Sequence, residues 1–175
     1  MTRSQRGMTL MEILIAVAVL SILFLMALPS YRAWIQNSQI RTAAESVMNG
    51  LQTARAEAVK ANRKTWFEFG NGSDWSVKQQ AQNGTVTDIQ SRLSSEGSPN
   101  AQLSVQPAGA ARITFNGMGW VQDNDDATPS LTRVDVSSSV ISGSEARPLR
   151  VVITAAGSAK MCDPQVAAPD PRVCP

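Results

Sequence analysis

The chain has no histidine at all. That removes the commonest general base, the usual proton shuttle and the commonest zinc ligand at once. Ser, Thr, Asp and Glu are present, but they form no nucleophile elbow or triad, so hydrolase and metalloenzyme readings have little to stand on. Charge is also scarce: 16 Lys and Arg against 14 Asp and Glu leave a formal net charge of +2. A chain that coats nucleic acid needs far more. Only two cysteines occur, and neither sits in a C-x-x-C pair, which disfavours a catalytic dithiol. With 175 residues, the length suits one globular domain plus an appendage.

What is present is unevenly spread. Met8 to Leu28 is a run of 21 residues whose polar members are Thr9, Glu12 and Ser21. As a helix it rises ~31 Å, the hydrocarbon thickness of a bilayer. A secretory signal peptide competes, because Arg3 and Arg6 form a basic leader. Against it, the run exceeds an ordinary signal core, no small-x-small cleavage site closes it, and helical patterning continues beyond Leu28. A plain signal-anchor also fits. Arg3 and Arg6 place residues 1–7 in the cytoplasm and everything after Leu28 outside it. Glu12 is the anomaly, since a carboxylate within a span costs ~2.5–3.5 kcal/mol on insertion scales and marks function. It is either an end-of-helix carboxylate reaching the headgroups or one that needs a cation. Were the chain cut after Gly7, a new amino terminus at Met8, one turn from Glu12 on the same chain or on a neighbouring copy, would supply that cation.

Pro29 lacks a backbone donor and is expected to kink or locally melt the helix. The pattern then resumes: Ile40, Ala44, Val47, Leu51, Ala54 and Ala58 form an apolar seam along Tyr31 to about Asn62, with Arg41, Glu45, Arg55 and Lys60 facing away. Three Ala among six seam positions make a thin coiled coil, so the seam is expected to pack on the chain's own sheet. Strands are expected near Thr65–Phe69, Trp75–Lys78, Leu103–Gln106, Arg112–Phe115, Leu131–Val136 and Leu149–Thr154. Asn71-Gly72 and Asn83-Gly84 read as turns. Residues 81–101 read as partly disordered, and 123–129 and 137–146 as exposed polar loops. The four tryptophans read as core and stem packing. Asp123, Asp125 and Asp126 read as a solvated acidic turn, and no metal or cofactor is expected. Cys162 and Cys174, outside the cytoplasm in a Pro-rich tail, are expected to pair, closing a 13-residue span at a gain of about 3 kcal/mol in the chain-entropy model. The expected organisation is 1–7 leader, 8–28 membrane helix, 29–64 amphipathic stem and 65–175 β-rich head.

The stretch Arg6-Gly7-Met8-Thr9-Leu10-Met11-Glu12 ahead of an unbroken apolar helix resembles the processing site of type IV prepilins and pseudopilins. Three inner segments, Leu51–Val59, Ile113–Gly119 and Arg150–Gly157, are similar to segments of the FimT/FimU and GspH group within that family. The resemblance implies an α+β fold, with a long N-terminal helix packed on an antiparallel β-sheet head. It implies cleavage after Gly7 by a membrane-embedded prepilin peptidase, N-methylation of Met8, pairing of Glu12 with a neighbour's amine, and a helix-bending role for Pro29. The usual first residue of the mature family chain is Phe; here it is Met8. The implied function is that of a non-enzymatic minor pilin, partnered by the peptidase, other major and minor pilins and the inner membrane, then carried into a fibre. An H-type pseudopilin of a type II secretion system and a DNA receptor for transformation are the alternatives. Some FimT-like pilins bind DNA through a Gly-Arg-x-Arg motif, where this chain reads Gly157-Ser158-Ala159-Lys160. Residues 101–175 hold six basic and seven acidic side chains, so only weak phosphate contact through Arg147, Arg150 and Lys160 is expected.

Overall fold

The structure, a computed structural model, describes residues 9–175. One helix, α1 (Leu10–Ala61), is followed by nine strands: β1 (Thr65–Phe69), β2 (Trp75–Gln80), β3 (Val86–Arg92), β4 (Ala101–Gln106), β5 (Arg112–Phe115), β6 (Val121–Gln122), β7 (Arg133–Ser138), β8 (Leu149–Ile153) and β9 (Ala159–Cys162). The α+β class is as expected. Two compact units divide the chain at Ile35/Gln36, so the outer part of α1 belongs with the strands and not with a separate stem.

Both ends of α1 have a chemical cause. At the start, the Glu12 amide donates to Thr9 Oγ1 at 3.2 Å and the Ile13 amide to the Thr9 carbonyl. Thr9 is therefore the N-cap, spaced from Glu12 as in a capping box. At the far end, Asn62 takes a left-handed conformation (φ 50°). Its amide donates to the Val59 carbonyl and that of Arg63 to the Ala58 carbonyl, a Schellman closure. Between these caps α1 runs unbroken through Pro29, so the local melting expected there is absent.

The strands make two antiparallel sheets rather than one. Their orders are β3-β2-β1-β5-β6 and β4-β7-β8-β9. Every predicted seam residue of α1 is buried, joined by Ala43. They pack into one core with Phe67, Trp75, Val77, Ile113 and Phe115 from the larger sheet and Val134, Val136, Val151 and Ile153 from the smaller. Small seam residues let the sheets come close: a Cβ on Gly50 would lie 2.7 Å from the Phe67 ring. The Trp75 indole donates to Ser46 Oγ at 2.7 Å inside this core, so this buried donor is met.

Several expectations are corrected. Residues 81–101 contain β3, paired along β2 from Val86 to Arg92. The 123–129 loop is not simply exposed: Asn124 is buried, and its amide donates to the carbonyls of Arg112 and Thr128 while Thr114 Oγ1 donates to its Oδ1. Residues 137–146 begin with the end of β7, whose Ser138 donates to Gln36 Oε1. Of the tryptophans, Trp66 and Trp75 are buried, but Trp34 and Trp120 are exposed.

Candidate functional site

The residues expected to be cut and methylated, Gly7 and Met8, lie outside the described residues. Glu12 lies in the first turn of α1, exposed, with its backbone amide held by Thr9. A carboxylate in that first turn faces the positive end of the helix dipole. Thr9 was missed by reading the sequence for membrane character alone, although Thr-x-x-Glu is a recognisable cap. From Leu10 to Leu25 the large apolar side chains are mostly exposed, for example Leu14, Leu20, Phe24 and Leu25 at 62–67%. This is the one helix among the described residues that is long and apolar enough to cross a membrane.

Near the C-terminal end of α1, three segments converge. Arg55, expected to face away, instead donates from Nε to the Gly119 carbonyl at 3.0 Å. The turn after β5 presses on α1 so closely that a Cβ on Gly117 would sit 2.1 Å from Asn62 Oδ1, and one on Gly119 2.9 Å from Val59 Cγ2. The β8–β9 turn closes the junction from the other side: a Cβ on Gly157 (φ 77°) would lie 2.4 Å from the Gly119 carbonyl, and the Val121 amide donates to the Ala155 carbonyl. The three inner segments that carry the family resemblance are therefore the three that meet here. Their short residues are required because two turns and a helix share one small space. Around the junction Val59, Met118 and Trp120 are exposed.

The smaller sheet carries the basic residues. Its register aligns Arg133, Val152 and Lys160 across β7, β8 and β9, and Asp135 with Arg150 beside them. Asp135 takes both neighbours, Arg150 Nε at 2.5 Å and Arg133 Nε at 3.1 Å. Lys160 stays exposed. Arg147 is elsewhere, in the loop before β8, where its backbone amide donates to Asn37 Oδ1 and the Asn37 side-chain amide donates to the Glu145 carbonyl. The structure thus brings Lys160 and Arg150 onto one face, adds Arg133, and leaves Arg147 apart. Arg133 could have been found only with the strand register in hand.

On the larger sheet, Glu68 receives Arg112 (2.7 Å) and Lys78 (2.5 Å), and the Trp66 indole donates to it at 3.0 Å. Arg112 also stacks over the Trp66 ring, 5.3 Å from its centroid. Partial burial alone would raise the Glu68 pKa, but the hydrogen bonds from Lys78 and Arg112 outweigh it and hold the group below its ordinary value. Asp125 and Asp126 are taken up by Lys64 and Arg112, which accounts for the acidic turn as local ion pairing. Cys162 and Cys174 are joined in a disulfide. The tail it closes is tied further by the Asp163 amide donating to the Arg172 carbonyl. Within it, hydrogen bonds from Arg172 hold the Asp170 carboxyl down at about 2.

Residues 43–157, more than half of the chain, match the family described as Type II transport protein GspH, and residues 2–28 match the prokaryotic N-terminal methylation motif. A fimbrial protein of Moraxella nonliquefaciens is 34% identical over 71 residues, 41% of this chain and 43% of that protein. The chain thus spans less than half the length of this curated relative. Among solved structures, the type IV minor pilin FimU of Pseudomonas aeruginosa is similar at 20% identity and a TM-score of 0.49, over 72% of this chain and 92% of that one. Escherichia coli GspH is similar at 12% identity and 0.49, over 77% and 95%. On the strength of the match across residues 43–157, led by the methylation motif, the chain belongs to the GspH family of type IV pilins and pseudopilins, structural subunits and not enzymes.

Proposed function

We propose that the chain is a minor pilin of a type IV pilus, required for pilus assembly or its initiation and so for pilus-dependent motility or adhesion. The observation that carries this reading is one helix with two destinies: an apolar, exposed first part behind a methylation motif, and a second part buried under its own sheets. The precursor sits in the inner membrane with its head in the periplasm. A prepilin peptidase cuts after Gly7, Met8 is methylated, and Glu12 neutralises the amine of a neighbouring pilin as the subunit leaves the bilayer for the fibre. Pairing at that junction removes two desolvated charges together, which is why the carboxylate is tolerated in the span.

Mass spectrometry of affinity-isolated, sheared pili tests the reading. The expected result is the processed chain, starting at N-methylated Met8, together with other pilins. Glu12→Ala is expected to remain in the membrane and to fall in abundance in the fibre; equal incorporation would overturn the pairing mechanism. The second reading is an H-type pseudopilin of a type II secretion system, favoured by the description of the matching family. It predicts the chain's absence from sheared pili and a secretion defect on deletion. DNA reception is not part of the proposal, because Asp135 occupies two of the three cations on the basic face.

A further inference from the structure

The last turn of α1 before the head unit begins at Gln36 carries two aromatic side chains that no core absorbs. Tyr31 is 58% and Trp34 66% exposed. Three residues apart, they share a helix face, and their rings stack with centroids 6.0 Å apart and planes inclined at 26°. Arg32, between them, is also exposed. In water, two large stacked aromatics left open on a helix lose most of the benefit of burial.

The helical rise places them. From Leu10, Leu28 is ~27 Å along the axis, Tyr31 ~32 Å and Trp34 ~36 Å. A hydrocarbon core of about 30 Å, with roughly 5–7 Å of headgroup layer beyond it, ends between Leu28 and Tyr31. Phenol and indole have an apolar ring and a polar tip, the chemistry that partitions to that layer, and an arginine there meets lipid phosphates. We propose that Tyr31, Arg32 and Trp34 form an interfacial anchor that seats in the headgroup layer of the outward-facing leaflet and fixes how deep the apolar helix sits. The partner is the lipid surface itself. The inference rests on the membrane-anchored reading of the precursor and adds the depth at which it is held.

The test uses the full chain reconstituted in vesicles of phosphatidylethanolamine and phosphatidylglycerol, with bromine on the acyl chains either near the glycerol or near the bilayer centre. Trp34 fluorescence is taken as the difference between wild type and Trp34→Phe, with Trp66, Trp75 and Trp120 as the common background. Flotation with the vesicles is measured on the same samples. The expected result is flotation of both proteins and a Trp34 signal quenched by the shallow bromines more than by the deep ones. Flotation with no quenching, or with stronger quenching by the deep bromines, overturns the interfacial anchor and leaves the membrane reading standing. Failure to float overturns both. In a companion measurement, Tyr31→Ala with Trp34→Ala is expected to make Ser30→Cys more reactive toward a water-soluble maleimide. Unchanged reactivity counts against the anchor.

Discussion

The two parts of α1 obey the same helical geometry and use their apolar residues in opposite ways. Between Leu10 and Leu25, Leu, Ile, Val and Phe point outward all round the helix. Between Ile40 and Ala58 the apolar residues narrow to one stripe, four of whose seven members are Ala, and all seven are buried. An all-round apolar surface needs an apolar medium outside the molecule, lipid or other subunits; a stripe of small residues needs only a sheet close by. Hydrophobic content is therefore not one quantity in this chain. In the first part it specifies where the molecule lives, and in the second how it folds.

That contrast can be broken or sharpened by substitution. The largest effect is expected from Gly7→Trp. It should abolish maturation, seen as a full-length intact mass, while near-ultraviolet circular dichroism of the head stays as in wild type. Next, Leu51→Ala should destabilise the head by about 2–5 kcal/mol, the usual cost of emptying a buried leucine site. Leu20→Ala should leave head unfolding unchanged and weaken membrane retention. Denaturant unfolding in mild detergent distinguishes the pair, and equal effects would erase the distinction between the two parts. Cys174→Ser should cost about 3 kcal/mol or less, because the bridge closes a short loop near the end of the chain.

The smallest effect is electrostatic. Glu68 has its folded-state pKa below its ordinary 4.5, so it favours the folded head above that value and loses this contribution as pH falls through the lowered one. Glu68→Gln should flatten the acid limb of a thermal-unfolding profile and barely alter stability between pH 6 and 8 relative to its own lower plateau. A wild-type acid limb in the variant would show that Lys78 and Arg112 do not act through this carboxylate.

The parts of the fold that were legible have strong local causes. The seam of α1 follows from spacing and side-chain size. β1 and β5 coincide with their predicted bounds because Trp66-Phe67 and Ile113–Phe115 are apolar, β-prone and flanked by turns. Gly72 and Gly84 take positive φ where the Asn-Gly pairs signalled turns. What was not legible depends on distant partners. β3 is exposed along nearly its whole length, so its Val-Thr-Asp-Ile-Gln-Ser-Arg carries no burial pattern and exists because β2 supplies a ladder. β6 has two residues and β9 four, too few for periodicity to register. Asn124 and Arg55 look solvated in sequence, yet Arg55 donates to the Gly119 carbonyl 64 residues on, and Asn124 is buried with its amide shared between the carbonyls of its own loop and that of Arg112. At the candidate site, Thr9 was readable as a cap, whereas the grouping of Arg133 with Lys160 needed the register of three strands.

The crowding of Gly117, Gly119 and Gly157 also tells an experimenter where the molecule will accept a label. A Cβ at any of those three positions would lie within 3 Å of Asn62, of the Val59 side chain or of the Gly119 carbonyl, so an epitope or dye inserted there would report on a damaged subunit. The β2–β3 hairpin is the opposite case. A side chain at Gly84 would meet no atom within 4 Å, the neighbouring residues are exposed, and the hairpin tip stands outside the core. A short tag in the 82–84 turn, placed where Gly84 keeps its left-handed backbone, would let single fibres be searched for this subunit by light or electron microscopy while the junction at the end of α1 stays intact.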